Sequence, residues 1–267
     1  MKNSLDVYLT AAAAGLYLAA AFFAGLDAVV RRRSLRRAGL ALVAVGFAVH
    51  TGAIVARGVL AGSVPLTDLF EYTLFLTWAV ALAYLAAFRA RLEQAVAIAV
   101  LALLFLMLGV GLVFLHTDPS GAKMPALRSY WLYVHVSLAA LGETFFAIAF
   151  VSSLVYLLRV GSADQERLRA LDDLTYRAIS IGFPVFTLGA LVAGAIWAKQ
   201  AWGAYWSWDP KEVLSLVVWL VYAAYLHARL VRDLRGTLTA VTSVLGFLLT
   251  LFTIFSSLIF GGLHAYG

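Results

Sequence analysis

The chain has 267 residues, 63% hydrophobic and only 13% charged, with a formal net charge of +6 and a mean hydropathy of +0.92. This excludes an ordinary soluble domain, since no polar stretch is long enough to fold as one, and chemistry is confined to the bilayer and its two faces. The chain has no cysteine, which excludes disulfides, thiolate metal sites and thiol exchange, and its arginines lie in short loops rather than on a basic soluble face, which excludes nucleic-acid binding.

A helix needs about 20 apolar residues to cross the hydrocarbon core. The first two predicted spans, 7–30 and 38–58, are generic, apart from His50 in the second. The first lacks a basic leader and reads as a span, not a cleaved signal. The third span, 70–88, follows Pro65-Leu66-Thr67-Asp68-Leu69-Phe70-Glu71-Tyr72. The fourth, 94–115, ends at His116-Thr117-Asp118-Pro119, which reads as a helix end and turn. The fifth, 131–158, carries His135 near its start and Glu143 two turns on. The sixth is 178–198. The seventh, 211–229, holds His227 toward its end, and the eighth, 238–260, is followed by His264. In lipid the backbone must satisfy its own hydrogen bonds, so the expected fold is all-α, a bundle of eight transmembrane helices in one membrane domain.

Positive charge orients the bundle. Loops after odd-numbered spans hold fourteen arginines, among them Arg31, Arg89, Arg91, Arg159 and Arg229. The other side holds six positive residues: Lys2, Arg57, Lys123, Arg128, Lys199 and Lys211. The first set is expected on the cytoplasmic side, which puts both termini outside. His135 and His264 then share the external face, while His227 lies toward the cytoplasmic end of its span.

Between spans six and seven runs Trp202-Gly203-Ala204-Tyr205-Trp206-Ser207-Trp208-Asp209-Pro210-Lys211-Glu212. Interfacial belts spread tryptophans over many helix ends. A cluster this dense reads better as a platform for a flat π ligand. Asp209, Pro210 and Glu212 have the order of a helix cap, with Asp at the N-cap and Glu three residues on. Two histidines flanking an aromatic platform suit the axial ligands of a haem iron. His227 reads either as a deeper ligand or as a side chain reaching the interface beside Arg229. His50 stands equally as a packing hydrogen bond or part of a site. Gly189 and Gly194 read as helix packing.

The run Trp202-Gly203-x-x-Trp206-x-Trp208-Asp209 resembles the WWD signature of haem-handling proteins. Together with Pro65–Tyr72, Leu127–Val136 and Gly262–Gly267 it resembles the CcsA/ResC type of cytochrome c biogenesis protein. The resemblance covers residue 61 to the end, leaving 1–60 as two generic spans. It implies that haem b, bound transiently, is moved or presented at the external face for covalent attachment to apocytochrome c. The chain would be a subunit of a haem lyase complex. It implies His135 and His264 as external axial ligands and His227 as the ligand of an entry site. Trp202, Trp206, Trp208 and Asp209 would cover the external haem. Implied partners are a CcsB/ResB-type membrane protein, an apocytochrome with a Cys-x-x-Cys-His motif and a thiol-reducing thioredoxin-like protein. The implied location is the bacterial cytoplasmic membrane, with the thylakoid as the other setting. Lys199, Lys211, Arg128 and Lys123 stand where haem propionates would need cations. Two rivals are a b-type electron carrier, which needs histidine pairs on facing helices at matched depth, and a solute transporter, which needs polar clusters at midplane.

Overall fold

The computed structural model describes residues 4–88, 93–118, 124–161 and 164–265. These residues form helices and turns, with no strand among them. Eight helical runs are long and apolar enough to cross a membrane, as the composition leads one to expect. Lys2, Arg89, Arg91, Pro119, Lys123, Tyr266 and Gly267 fall outside the described residues. Contacts divide the chain into two compact units, Met1–Ala122 and Lys123–Gly267.

In the first unit, α1 (Leu5–Val30) lies against α2 (Arg33–Ala61) and α4 (Gln94–Val110), and α3 (Leu69–Ala83) against α2 and α4. Wide π turns extend α3 and α4, at Tyr84–Phe88 and Gly111–Leu115. Arg57 is no outer loop charge, contrary to the reading from charge counts. It is fully buried, with its guanidinium bonded to Glu71 at 3.1 Å, Asp68 at 2.8 Å and Asp6 at 3.3 Å. It also donates to the backbone carbonyl and hydroxyl of Thr117. An isolated arginine would be too costly to bury, and the carboxylates and carbonyl make up that cost. His116 sits beside this network, 4.0 Å from Asp6. His50 is buried in α2 with Nδ1 3.3 Å from the Tyr17 hydroxyl. It serves as an interhelical contact.

The second unit begins with a 3₁₀ turn, Pro125–Arg128, then α5 (Tyr130–Arg159). A continuous helical run follows: α6 (Gln165–Phe186), a π turn (Thr187–Ala193) and α7 (Gly194–Trp202). Helices α8 (Pro210–Arg232) and α9 (Thr237–Phe260) complete it. The α6 run starts well before the expected residue 178. Asp164 caps it by accepting from the Arg167 N–H, and its first turns are amphipathic, a pattern that hydropathy does not register. Helix α5 is the axis of this unit, with 72% of its span window buried. It packs on α6, the π turn and α9. The approach to α6 is so close that a Cβ on Gly142 would sit 2.6 Å from the Phe186 nitrogen. At the α8–α9 turn, Arg229 is also buried, paired with Asp172 at 2.6 Å. It therefore does not act as a loop charge either. Each side of the charge count loses one residue, so the imbalance remains.

Candidate functional site

His135 lies in the second turn of α5. The π turn puts the Gly189 carbonyl in its path, and Nδ1 meets that oxygen at 2.9 Å. A carbonyl only accepts, so Nδ1 carries the proton and Nε2 keeps its lone pair. Two glycines make the seat. A Cβ on Gly194 would lie 3.0 Å from His135 Nδ1, and one on Gly189 would lie 2.4 Å from the Ala139 nitrogen. These two glycines do more than pack helices, which corrects the sequence reading. π turns recur at functional sites because they displace backbone groups from the helical ladder.

His264 lies in the turn after α9. Its Nδ1–H donates to Asp209 Oδ2 at 2.8 Å, while the Leu263 N–H donates to Oδ1 at 2.6 Å. Asp209 is also the N-cap of α8. It accepts from the Lys211 N–H and forms a reciprocal capping box with Glu212. Gly262, at φ +97°, lays the C-terminal turn directly onto the carboxylate; a Cβ there would sit 2.4 Å from Oδ1. Burial alone would raise the Asp209 carboxyl, but the hydrogen bonds from His264, Leu263 and Lys211 outweigh it and hold it below the usual range. Burial pushes His264 below the usual histidine value, and the Asp209 hydrogen bond only partly offsets this. His264 is therefore neutral at pH 7, with Nε2 as its acceptor nitrogen.

The two imidazoles meet at one indole. Trp197 is 1% exposed, and its N–H is held by the Ala126 carbonyl at 3.1 Å. His135 stacks on it at 5.7 Å and 7° between planes. His264 stands 5.6 Å from the same ring. Trp202 closes the group, edge-on to Trp197 at 4.7 Å and to His264 at 4.8 Å. The tryptophan run thus divides. Trp202 joins the histidines, whereas Trp206 and Trp208 form a separate pair, 5.8 Å apart and edge to face. Trp208 is 72% exposed and its φ of +58° is costly for a bulky residue. Trp197, at the centre, was not among the residues singled out by the motif.

Of the cations expected near a carboxylated ligand, Lys211 acts electrostatically on both imidazoles and on Glu143. Lys199 bonds the Gly203 carbonyl at 2.7 Å and covers Tyr205. Arg128 is exposed at the end of the 3₁₀ turn. His227 is exposed on α8, on the apolar face of Val217, Leu220, Ala224 and Val231, away from the other two histidines along the helix.

An axial ligand to haem iron needs a neutral imidazole, one N–H satisfied elsewhere and the other nitrogen available. His135 and His264 both meet that condition beside a flat aromatic wall, so these residues suit haem. Among the described residues no group of three or more His, Cys, Asp and Glu is arranged to hold a bare metal ion.

The family described as Cytochrome C assembly protein matches residues 66–264. A cytochrome c biogenesis protein CcsA from Synechococcus sp. (strain CC9605) is 34% identical, over 88% of this chain and 88% of its own. The protein of that name from Guillardia theta is 34% identical, over 79% of each chain. Among solved structures, a cytochrome c haem lyase, CcmF, aligns with TM-score 0.74 over 94% of this chain at 21% identity. This chain spans 46% of that one, and the likeness shows a shared fold. By the extent of the family match and the identity to its relatives, the chain belongs to the cytochrome c assembly protein family.

Proposed function

We propose that this membrane subunit presents haem b to apocytochrome c, with the iron held between Nε2 of His135 and Nε2 of His264. The observation that carries this reading is the shared Trp197 contact of two imidazoles, each with its Nδ1–H already committed. Haem is cargo here, and its iron and vinyl groups supply the reactivity. The protein orients the cargo and keeps water from it. Trp197 and Trp202 would cover the ring near the imidazoles. The exposed Trp208 and Tyr205, with the half-buried Trp206, would face the incoming polypeptide. Lys211 is the cation best placed for a propionate. Rate enhancement would come from holding vinyl groups against thiols, which is proximity and orientation.

His227 faces outward from α8 on an apolar stripe, which suits a ligand completed by a second membrane protein of the CcsB/ResB kind. Apocytochrome with a Cys-x-x-Cys-His motif is the substrate polypeptide, kept reduced by a thioredoxin-like protein. The charge imbalance of the loops supports a topology with both termini and the tryptophan loop outside a bacterial cytoplasmic membrane.

The test is an absorption spectrum of the protein purified with its membrane partner. A six-coordinate, low-spin bis-imidazole spectrum is expected. His135→Ala or His264→Ala should convert it or lose the haem. An unchanged spectrum in both variants would overturn the assignment.

A further inference from the structure

We infer that the two axial imidazoles are unequal: His264 is the retained ligand, and His135 is the one an incoming histidine replaces. This rests on the haem-presenting role proposed above and adds an order of events to it.

The difference lies in what each Nδ1–H meets. His264 donates to a carboxylate at 2.8 Å. His135 donates to the neutral Gly189 carbonyl at 2.9 Å, which also accepts the Gly194 N–H of the π turn. A charge-assisted hydrogen bond is about twice as strong as a neutral one. It also moves electron density onto the imidazole and strengthens its donation to a metal. Both acceptors are shared with backbone N–H groups, but the His135 acceptor is neutral, so it gives less.

Position alone would argue the reverse. His135 is built into a long helix, while His264 sits in a turn past the end of α9. The Asp209 clamp cancels that disadvantage. Its two oxygens hold the Leu263 N–H and the His264 ring together. The carboxylate side chain is only 2% exposed and is itself locked into the α8 capping box. Gly262 brings the turn down onto it. This is more apparatus than a helix cap requires. Asp209 is thus a positioning residue that makes a loop histidine the firmer ligand.

The exchange balances simply. One neutral imidazole lone pair leaves the iron and another takes its place. Both Nδ1 protons stay where they are, and no electron moves. On release, His135 keeps its bond to Gly189 and its stack on Trp197.

The test uses the wild-type, haem-loaded protein with its membrane partner at pH 7. Imidazole, standing in for the incoming histidine, is titrated in. Freed histidines are then trapped with diethyl pyrocarbonate, which among histidines modifies the uncoordinated neutral form, and located by peptide mass spectrometry. Haem-free protein treated in the same way reports the reagent's access to each of the two histidines. His135 should acquire at least about five-fold more adduct than His264, given the margin of a charged over a neutral hydrogen bond. Asp209→Asn should abolish that preference and raise the reduction potential, a shift that a purely structural cap would not produce. Equal adducts in the wild type, or more on His264, would overturn the inference while leaving the ligand pair intact. Adducts on both histidines of loaded protein before imidazole is added would instead overturn the haem-presenting role itself.

Discussion

At the scale of single residues, the site depends on atoms that are missing. Gly189 supplies a carbonyl to His135 only because nothing separates it from α5. Gly189→Ala should displace His135 and cut haem content and thermal stability together, since the added Cβ would fall 2.4 Å from the Ala139 nitrogen. Gly109, also helical, has no atom within 4 Å of such a Cβ. Gly109→Ala should be neutral, or stabilising by up to about 1 kcal/mol. Melting curves and haem content in detergent would separate the two. Acidity offers a second residue-scale test. His264 has a folded pKa below its usual 6.5 because burial disfavours the charged ring. Its contribution to stability is present above pH 6.5 and is lost as pH falls through the folded value. Protonation also takes the lone pair that iron would use. The lowered Asp209 carboxyl acts in the same direction at still lower pH. Haem retention should therefore fall as the pH drops through the lowered His264 value, which lies below 6.5. Retention that stays constant until the protein itself unfolds in acid would contradict the role of His264.

At the scale of elements, charged groups that look like loop markers prove to be braces. Arg57 ties α1, α2, the segment before α3 and the end of α4 through Asp6, Asp68, Glu71 and Thr117. Arg57→Ala would remove the cation that the buried carboxylates of Asp6 and Glu71 share, and should destabilise the protein by about 3–5 kcal/mol. Arg235, 57% exposed and paired with Asp233 and Asp173, should change stability far less on the same substitution, because solvent screens an exposed pair. Hydropathy and charge counts treat Arg57 and Arg235 alike, because neither sees pairing. The same blindness explains the sixth span. Residues 165–177 are too polar to read as membrane helix, yet Asp164 caps them into a continuous run to Trp202, interrupted only by the π turn near Pro184.

At the scale of the whole molecule, the apolar segments were legible because length and hydropathy are sufficient to find helices that must satisfy their own backbone in lipid. Much of the site was legible as well. His135 and His264 stood out as polar residues near a dense aromatic run, and Asp209 as a cap. Trp197 did not, since an indole near the end of an apolar helix looks like ordinary anchoring until α5 brings His135 against it. Gly189 was hidden for a similar reason: no spacing rule announces a π turn. The orientation can be tested directly, because the chain has no cysteine and single cysteines can be introduced without background. Tyr205→Cys should react with a membrane-impermeant maleimide on intact cells, and Arg235→Cys only after lysis. The reverse pattern would invert the topology.

The central claim is that one haem iron is shared by two imidazoles that meet at Trp197. A density map of the haem-loaded protein with its membrane partner tests it most directly. Iron is expected between Nε2 of His135 and Nε2 of His264, with both Nδ1 atoms still bonded to Gly189 and Asp209. Iron ligated elsewhere in the second unit, or held by only one of these histidines with the other turned away, would contradict it.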